Sequence, residues 1–113
     1  MTIGRAGFHL NAITSAWNSV TESWSPEVRV EMIMNSPAAK QQFVKLEDNK
    51  AALQQKIDLP LVWHNPEGSK QCKIYVRRDG DFMDKTKWLE LFSWLTKYLK
   101  KFTEVFGPVV KGL

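Results

Sequence analysis

A strand–strand–helix unit that occurs twice predicts an α+β domain, with one antiparallel sheet of four strands and two helices on a single face. Three observations carry this expectation. The stretch 84–106 sets apolar residues at Trp88, Leu91, Phe92, Leu95, Tyr98, Leu99, Phe102, Val105 and Phe106, steps of three and four that form one helical stripe. Four shorter stretches alternate apolar and polar residues, the period of a half-buried strand. The order of elements also repeats: "VRVEMIMNSPAAKQQF" is laid out much like "CKIYVRRDGDFMDKTKW", as architecture rather than as sequence. So wide and aromatic a stripe needs a broad apolar surface to press on, and a sheet supplies one. The sheet's other face is left to solvent or to a partner.

Residues 2–7 are short and glycine-containing and read as a frayed lead-in. Over 8–17, Phe8, Leu10, Ala12 and Ala16 fall on one side and His9, Asn11, Ile13 and Ser15 on the other. Asn, Ser, Thr and Pro fill 18–26, a wide hairpin connection. Residues 27–34 alternate again, with Val28, Val30, Met32 and Met34 inward and Arg29, Glu31 and Ile33 outward. Ser36-Pro37 opens a helix, serine as cap and proline at its first position. Its face runs through Ala39, Phe43, Leu46, Leu53 and Ile57, and Lys50 fills the missing step by laying its butylene stem on apolar surface.

The second half begins at 59–64, where Leu61 and Trp63 alternate with Val62 and His64. Asn65-Pro66-Glu67-Gly68 turns the chain, and 71–77 returns with Cys72, Ile74 and Val76 against Lys73, Tyr75 and Arg77. After a turn at 78–81 comes the long helix, capped by Asp84 and stopped by Gly107-Pro108. Lys100 and Lys101 sit near the negative end of its dipole. Leu95, Phe92, Leu99, Phe43, Val30 and Ile74 are the expected heart of the core.

With 113 residues the chain is expected to be a single domain, 1–113, able to bury a core without staples. Apolar content of 43% and charged content of 25% are ordinary for a globular protein, and no window is long and apolar enough for a membrane span. One cysteine forms no internal disulfide, which points to a reducing cytoplasm. A formal charge of +4 permits contact with nucleic acid without requiring it. Five tryptophans imply a large aromatic core or an exposed aromatic surface, and Trp17 and Trp24 read either as partner anchors or as a cap on the core.

Several pieces then occur in a telling order: "GRAGFHLN", "VRVEM", Phe43-x-x-Leu46 with Lys50-x-x-Leu53 and Ile57, "LPLVWH", "CKIYV", and Trp88 with Trp94. Together they resemble the prokaryotic domain of unknown function 4268 family over nearly the whole chain. That resemblance implies work on or near DNA, because the family's domain often follows a restriction-endonuclease-like domain. It also implies a helical segment ahead of the first strand, which these residues do not contain.

The residues offer no catalytic set. A restriction-type nuclease needs carboxylates and a lysine converging on a metal, but Glu31 is followed by Met32-Ile33-Met34, and Glu67 and Lys70 sit in a turn. Cys72 lies in register with Ile74 and Val76, as a small hydrophobe rather than a nucleophile for His9 or His64. These three also fall short of a structural zinc site, and Gly4-x-x-Gly7 is too short for a phosphate loop. Neither a cofactor nor a metal is expected, and the chain reads as a non-catalytic module.

The outward row is the functional candidate. Arg29, Lys73, Tyr75, Arg77, His9 and Asn11 put cations beside an aromatic, the composition of a surface that pairs with phosphates and stacks on bases of DNA or RNA. Glu31 repels phosphate, and Ile33 suits a protein instead. The alternative is therefore a protein-interaction or homodimerisation module that uses Ile33, Tyr75 and the tryptophans as an apolar patch.

Overall fold

The computed structural model describes residues 3, 4 and 6–113; Thr2 and Arg5, parts of the expected lead-in and of "GRAGFHLN", lie outside the described residues. Alternation builds β1 (Phe8–Ser15), β2 (Glu27–Met34), β3 (Val62–His64) and β4 (Cys72–Asp79). They form one antiparallel sheet in the order β1-β2-β4-β3. Phe8 pairs with Met34 and Ser15 with Glu27; Glu27 then pairs with Asp79 and Met34 with Cys72. The short β3 pairs only with Lys73, Ile74 and Tyr75 of β4.

The helical layer comprises α1 (Ala39–Glu47), α2 (Lys50–Lys56) and α3 (Trp88–Lys111), the last entered through a 3-10 turn at Lys85–Lys87. It covers one sheet face, α3 across β1 and β2 and α1 against β4. Val28, Val30, Met32, Met34, Cys72, Ile74 and Val76 are fully buried beneath it. From above come Phe43, Leu46 and Leu53, and from α3 Leu91, Leu95, Tyr98, Phe102, Phe106 and Val110.

The α+β expectation holds, and several local readings change. Ser36-Pro37 lie ahead of α1, whose N-cap is Ala38, and Asp84 caps the 3-10 turn rather than α3, accepting from the Thr86 amide. The stretch 39–57 is two helices, because Asp48 and Asn49, poor helix formers, interrupt it and the Asn49 amide turns back to the Leu46 carbonyl. Lys50 carries its ammonium 5.5 Å above the Trp63 ring. Gly107-Pro108 does not stop α3, which runs to Lys111 with Pro108 inside it. A proline there breaks a helical hydrogen bond, and burial of Phe106, Gly107 and Val110 against the core outweighs the local loss.

Of the lead-in, Ile3 and Gly4 are tied down. Ile3 is 3% exposed and donates its amide to the Phe8 carbonyl at 3.0 Å. Gly4 has φ +75, and a Cβ there would lie 2.7 Å from the Gly107 carbonyl oxygen, so the backbone seats directly on α3. The α3 stripe is also narrower than expected. Phe92 is 50% exposed and Leu99 only half-buried, since both flank the line that faces the sheet. Below them Ala12, Thr14 and Ala16 are exposed, so the helical layer stops short of one sheet end. Trp24, 79% exposed, caps no core; it and Trp17 pack edge to face, 4.9 Å apart, at the surface.

Asp58 ties the α2–β3 connection to α3. It accepts from the Tyr98 hydroxyl at 2.8 Å and from the Lys101 ammonium at 3.0 Å. These bonds, Tyr98 first, lower the Asp58 carboxyl to about 2, while burial and then Asp58 raise the Tyr98 phenol to about 12. A depressed carboxylate contributes stability above its ordinary value of 3.8 and loses it as pH falls through about 2. In carboxyl NMR of the folded protein, Asp58 is expected to titrate near 2, and Tyr98→Phe to move that midpoint up towards 3.8. An unchanged midpoint would show that the tyrosine does not hold the carboxylate in solution.

Candidate functional site

Antiparallel register places outward residues in cross-strand rows. One row runs His9, Ile33, Lys73, His64, and the next Asn11, Glu31, Tyr75, Val62. Then come Ile13, Arg29, Arg77 and, at the end, Ser15, Glu27, Asp79. The face is therefore a grid in which Glu27, Arg29 and Glu31 alternate in charge along β2, beside Lys73, Arg77 and Asp79 of β4.

That alternation locks the charges together. Arg29 donates through Nη1 to Glu27 and through Nε to Glu31, both at 2.8 Å. Arg77 reaches from β4 to Glu27 at 3.0 Å and also holds Asp79. Lys73 lies 3.7 Å from Glu31. Glu27 is 0% exposed although it points away from the helices, because the β1–β2 connection folds over it. Ser19 gives it a backbone amide at 2.8 Å and a hydroxyl at 2.9 Å. Burial pushes the Glu27 carboxyl up, but the bonds from Arg29 and Ser19 outweigh it and hold the group below its ordinary value.

Asn18, 1% exposed, shapes that connection. Its side-chain oxygen accepts from the amides of Val20 and Thr21, and its side-chain nitrogen donates to Asp79 at 2.8 Å. Beside this network is an open hollow of about 130 Å³ lined by Ser19, Arg29, Glu31, His64, Lys73 and Tyr75.

A second feature lies at the sheet end that carries the β1–β2 connection and the exit from β4. Eight large hydrophobic residues are exposed among the described residues, and seven of them belong here: Trp17, Val20, Trp24, Met83, Trp88, Leu89 and Phe92. Phe82 ties the helical members together, its ring 6.0 Å from Trp88 and 5.3 Å from Phe92. An apolar depression of about 200 Å³ joins the two groups, with Ala16 and Pro26 on one side and Phe82 and Met83 on the other.

The family model described as Domain of unknown function (DUF4268) matches residues 1–110. The chain belongs to the DUF4268 family. No curated protein and no solved structure matches it.

Of the six outward residues singled out from sequence, this DUF4268 domain brings Arg29, Lys73 and Tyr75 around one hollow. Arg77 lies one row away, tied to Glu27 and Asp79. His9 and Asn11 sit on β1, across β2 from the hollow, and do not line it. Tyr75 is 9% exposed with the Arg29 guanidinium 5.8 Å over its ring, so that face is not free to stack on a base. Ile33 is half-buried in its row.

Sequence reading missed Glu27, Asn18, Ser19 and Asp79. The signal was present in Glu27-x-Arg29-x-Glu31 and Arg77-x-Asp79, opposite charges two residues apart that share a strand face. His64 lines the outer hollow while Cys72 is buried on the helical side, so the two do not form a nucleophile–base pair. Among the described residues no group of three or more His, Cys, Asp or Glu is placed to hold a metal, and no helix is long and apolar enough to cross a membrane.

Proposed function

We propose that this domain is a non-catalytic interaction module that pairs with a second copy of itself through its aromatic end. One observation carries the reading: seven of the eight large exposed hydrophobic residues gather at that end. Scattered apolar residues are ordinary on a surface, whereas a grouped set of this size marks a contact site. Trp17, Trp24 and Trp88 are the side-chain type that most often anchors such interfaces. The rim carries both signs, Glu22 and Asp81 with Lys85 and Lys87, which lets one copy complement another.

Charge balance favours this reading over a nucleic-acid surface. On the open face Arg29, Lys73 and Arg77 stand against Glu27, Glu31 and Asp79. A face neutral in itself gains little by releasing counterions from a polyanion, so the salt dependence that marks DNA or RNA binding would be shallow. In a cytoplasmic, restriction-associated setting, the module would join protein chains near DNA rather than hold the DNA.

Light scattering across a range of concentrations tests the pairing. The wild-type chain is expected to pass from monomer to dimer as concentration rises, and Leu89→Glu, at an 82% exposed position, to remain monomeric with its fold intact. A wild-type chain that stays monomeric, or a Leu89→Glu variant that dimerises equally well, would overturn the proposal.

A further inference from the structure

The hollow on the open face has the wrong charge balance for a nucleic-acid backbone but retains unused hydrogen-bonding groups. Arg29 spends Nε on Glu31 and Nη1 on Glu27, which fixes the guanidinium plane, and its Nη2 has no acceptor among the described residues. Lys73 is 3.7 Å from Glu31, an ion pair too long for a hydrogen bond, so its ammonium protons also lack an acceptor there. The Tyr75 hydroxyl has no partner among the described residues, and the His64 ring lines the same space. Glu31 contributes the opposite group. Its side chain is 3% exposed and its Oε2 takes both cations, while Oε1 accepts from no donor among the described residues.

A pocket with several fixed donors and one nearly buried carboxylate oxygen is selective. An oxyanion without a proton meets the donors but faces Glu31 oxygen to oxygen, a repulsive contact. An oxyanion that carries a proton satisfies both, donating its own O–H to Glu31 and accepting from Arg29, Lys73 and Tyr75. Inorganic phosphate holds such a proton near neutral pH, and a terminal phosphate, whose second pKa is about 6, holds it in part; sulfate and the phosphodiesters of a nucleic-acid backbone do not. The volume of about 130 Å³ accommodates one phosphate group, and the open mouth leaves the rest of a larger ligand in solvent. We infer that the hollow formed by Ser19, Arg29, Glu31, His64, Lys73 and Tyr75 binds one protonated phosphate group and rejects sulfate and phosphodiesters.

Calorimetric titration with inorganic phosphate and with sulfate tests this on the whole chain. Saturable binding of phosphate is expected, with sulfate weaker by about tenfold or more, the scale of one hydrogen bond to a charged group. Lys73→Gln and Tyr75→Phe, which keep the fold's packing, should each weaken phosphate, the lysine change by about tenfold. Glu31→Gln should bring sulfate level with phosphate; if that variant is poorly folded, the phosphate-to-sulfate ratio of Tyr75→Phe, with Glu31 retained, should remain as in wild type. Single-stranded DNA with and without a 5′-phosphate separates the sources. Binding only of the phosphorylated strand identifies a nucleic-acid terminus, and binding of inorganic phosphate alone identifies a free anion. No saturable phosphate binding, equal affinity for sulfate in wild type, or equal binding of the unphosphorylated strand would each overturn the inference.

Discussion

Glu27→Ala is expected to destabilise the domain by about 3–5 kcal/mol, towards the lower end of that range, in urea denaturation at neutral pH. The carboxylate is 0% exposed and joins three parts of the chain: Arg29 on its own strand, Arg77 on β4 and Ser19 in the β1–β2 connection. Removing it leaves two guanidinium groups facing each other and an amide without its acceptor. The arginine side chains are 16% and 18% exposed, so water relieves part of the loss. Glu27→Gln keeps one acceptor oxygen and should lose less.

The effect depends on pH in a definite direction. The folded-state Glu27 carboxyl lies below its ordinary value of 4.5, so its contribution is full above 4.5 and disappears as pH falls through the lower folded value. The gap between wild type and Glu27→Ala should therefore narrow on acidification. A gap that is small at neutral pH, or unchanged on acidification, would mean the network does not carry the stability assigned to it.

Phe102→Ala is expected to cost about 3–5 kcal/mol, whereas Phe92→Ala should cost about 1 kcal/mol. Both belong to one aromatic stripe in the sequence and both are phenylalanines on α3. Phe102 is 0% exposed and packs 5.1 Å from Phe106, so truncation opens a cavity that its neighbours fill only in part. Phe92 is 50% exposed and loses mainly its edge contacts with Phe82 and Trp88. Equal costs for the two changes would rotate α3 relative to the sheet and remove Phe92 from the aromatic end.

That pair marks where sequence stops being enough. Periodicity finds every residue that belongs to a wide stripe, but it does not say which edge of the stripe the sheet covers. Phe92 and Leu99 satisfied the helical spacing as well as Leu95 did, and the position of α3 over β1 and β2 decided between them. Exposure at the aromatic end has the same origin, because α3 begins where the covered part of β1 ends, leaving Ala12, Thr14 and Ala16 open.

The candidate site divides along similar lines. Alternation of Arg29 and Glu31 with Val28, Val30 and Met32 placed both charges on the outer face, since successive strand residues point to opposite sides. It did not reveal that their charges cancel. That cancellation needs β2 beside β4, which brings Arg77 to Glu27 across fifty positions of chain, and it needs the 16–26 connection folded back over the carboxylate.

What the sequence alone determined was local and periodic: four strands, the helical stretches, the inward and outward sets, and Cys72 as a core residue. These follow from side-chain direction within a single element, which nearest neighbours dictate. Tertiary structure decided whatever depends on two elements meeting. It carried α3 through Pro108, because burying Val110 outweighs a lost hydrogen bond, and it seated Gly4 on Gly107. It also turned a row that reads as basic into a neutral, interlocked network with one hollow beside it, because charges pair by distance in space and not by distance along the chain.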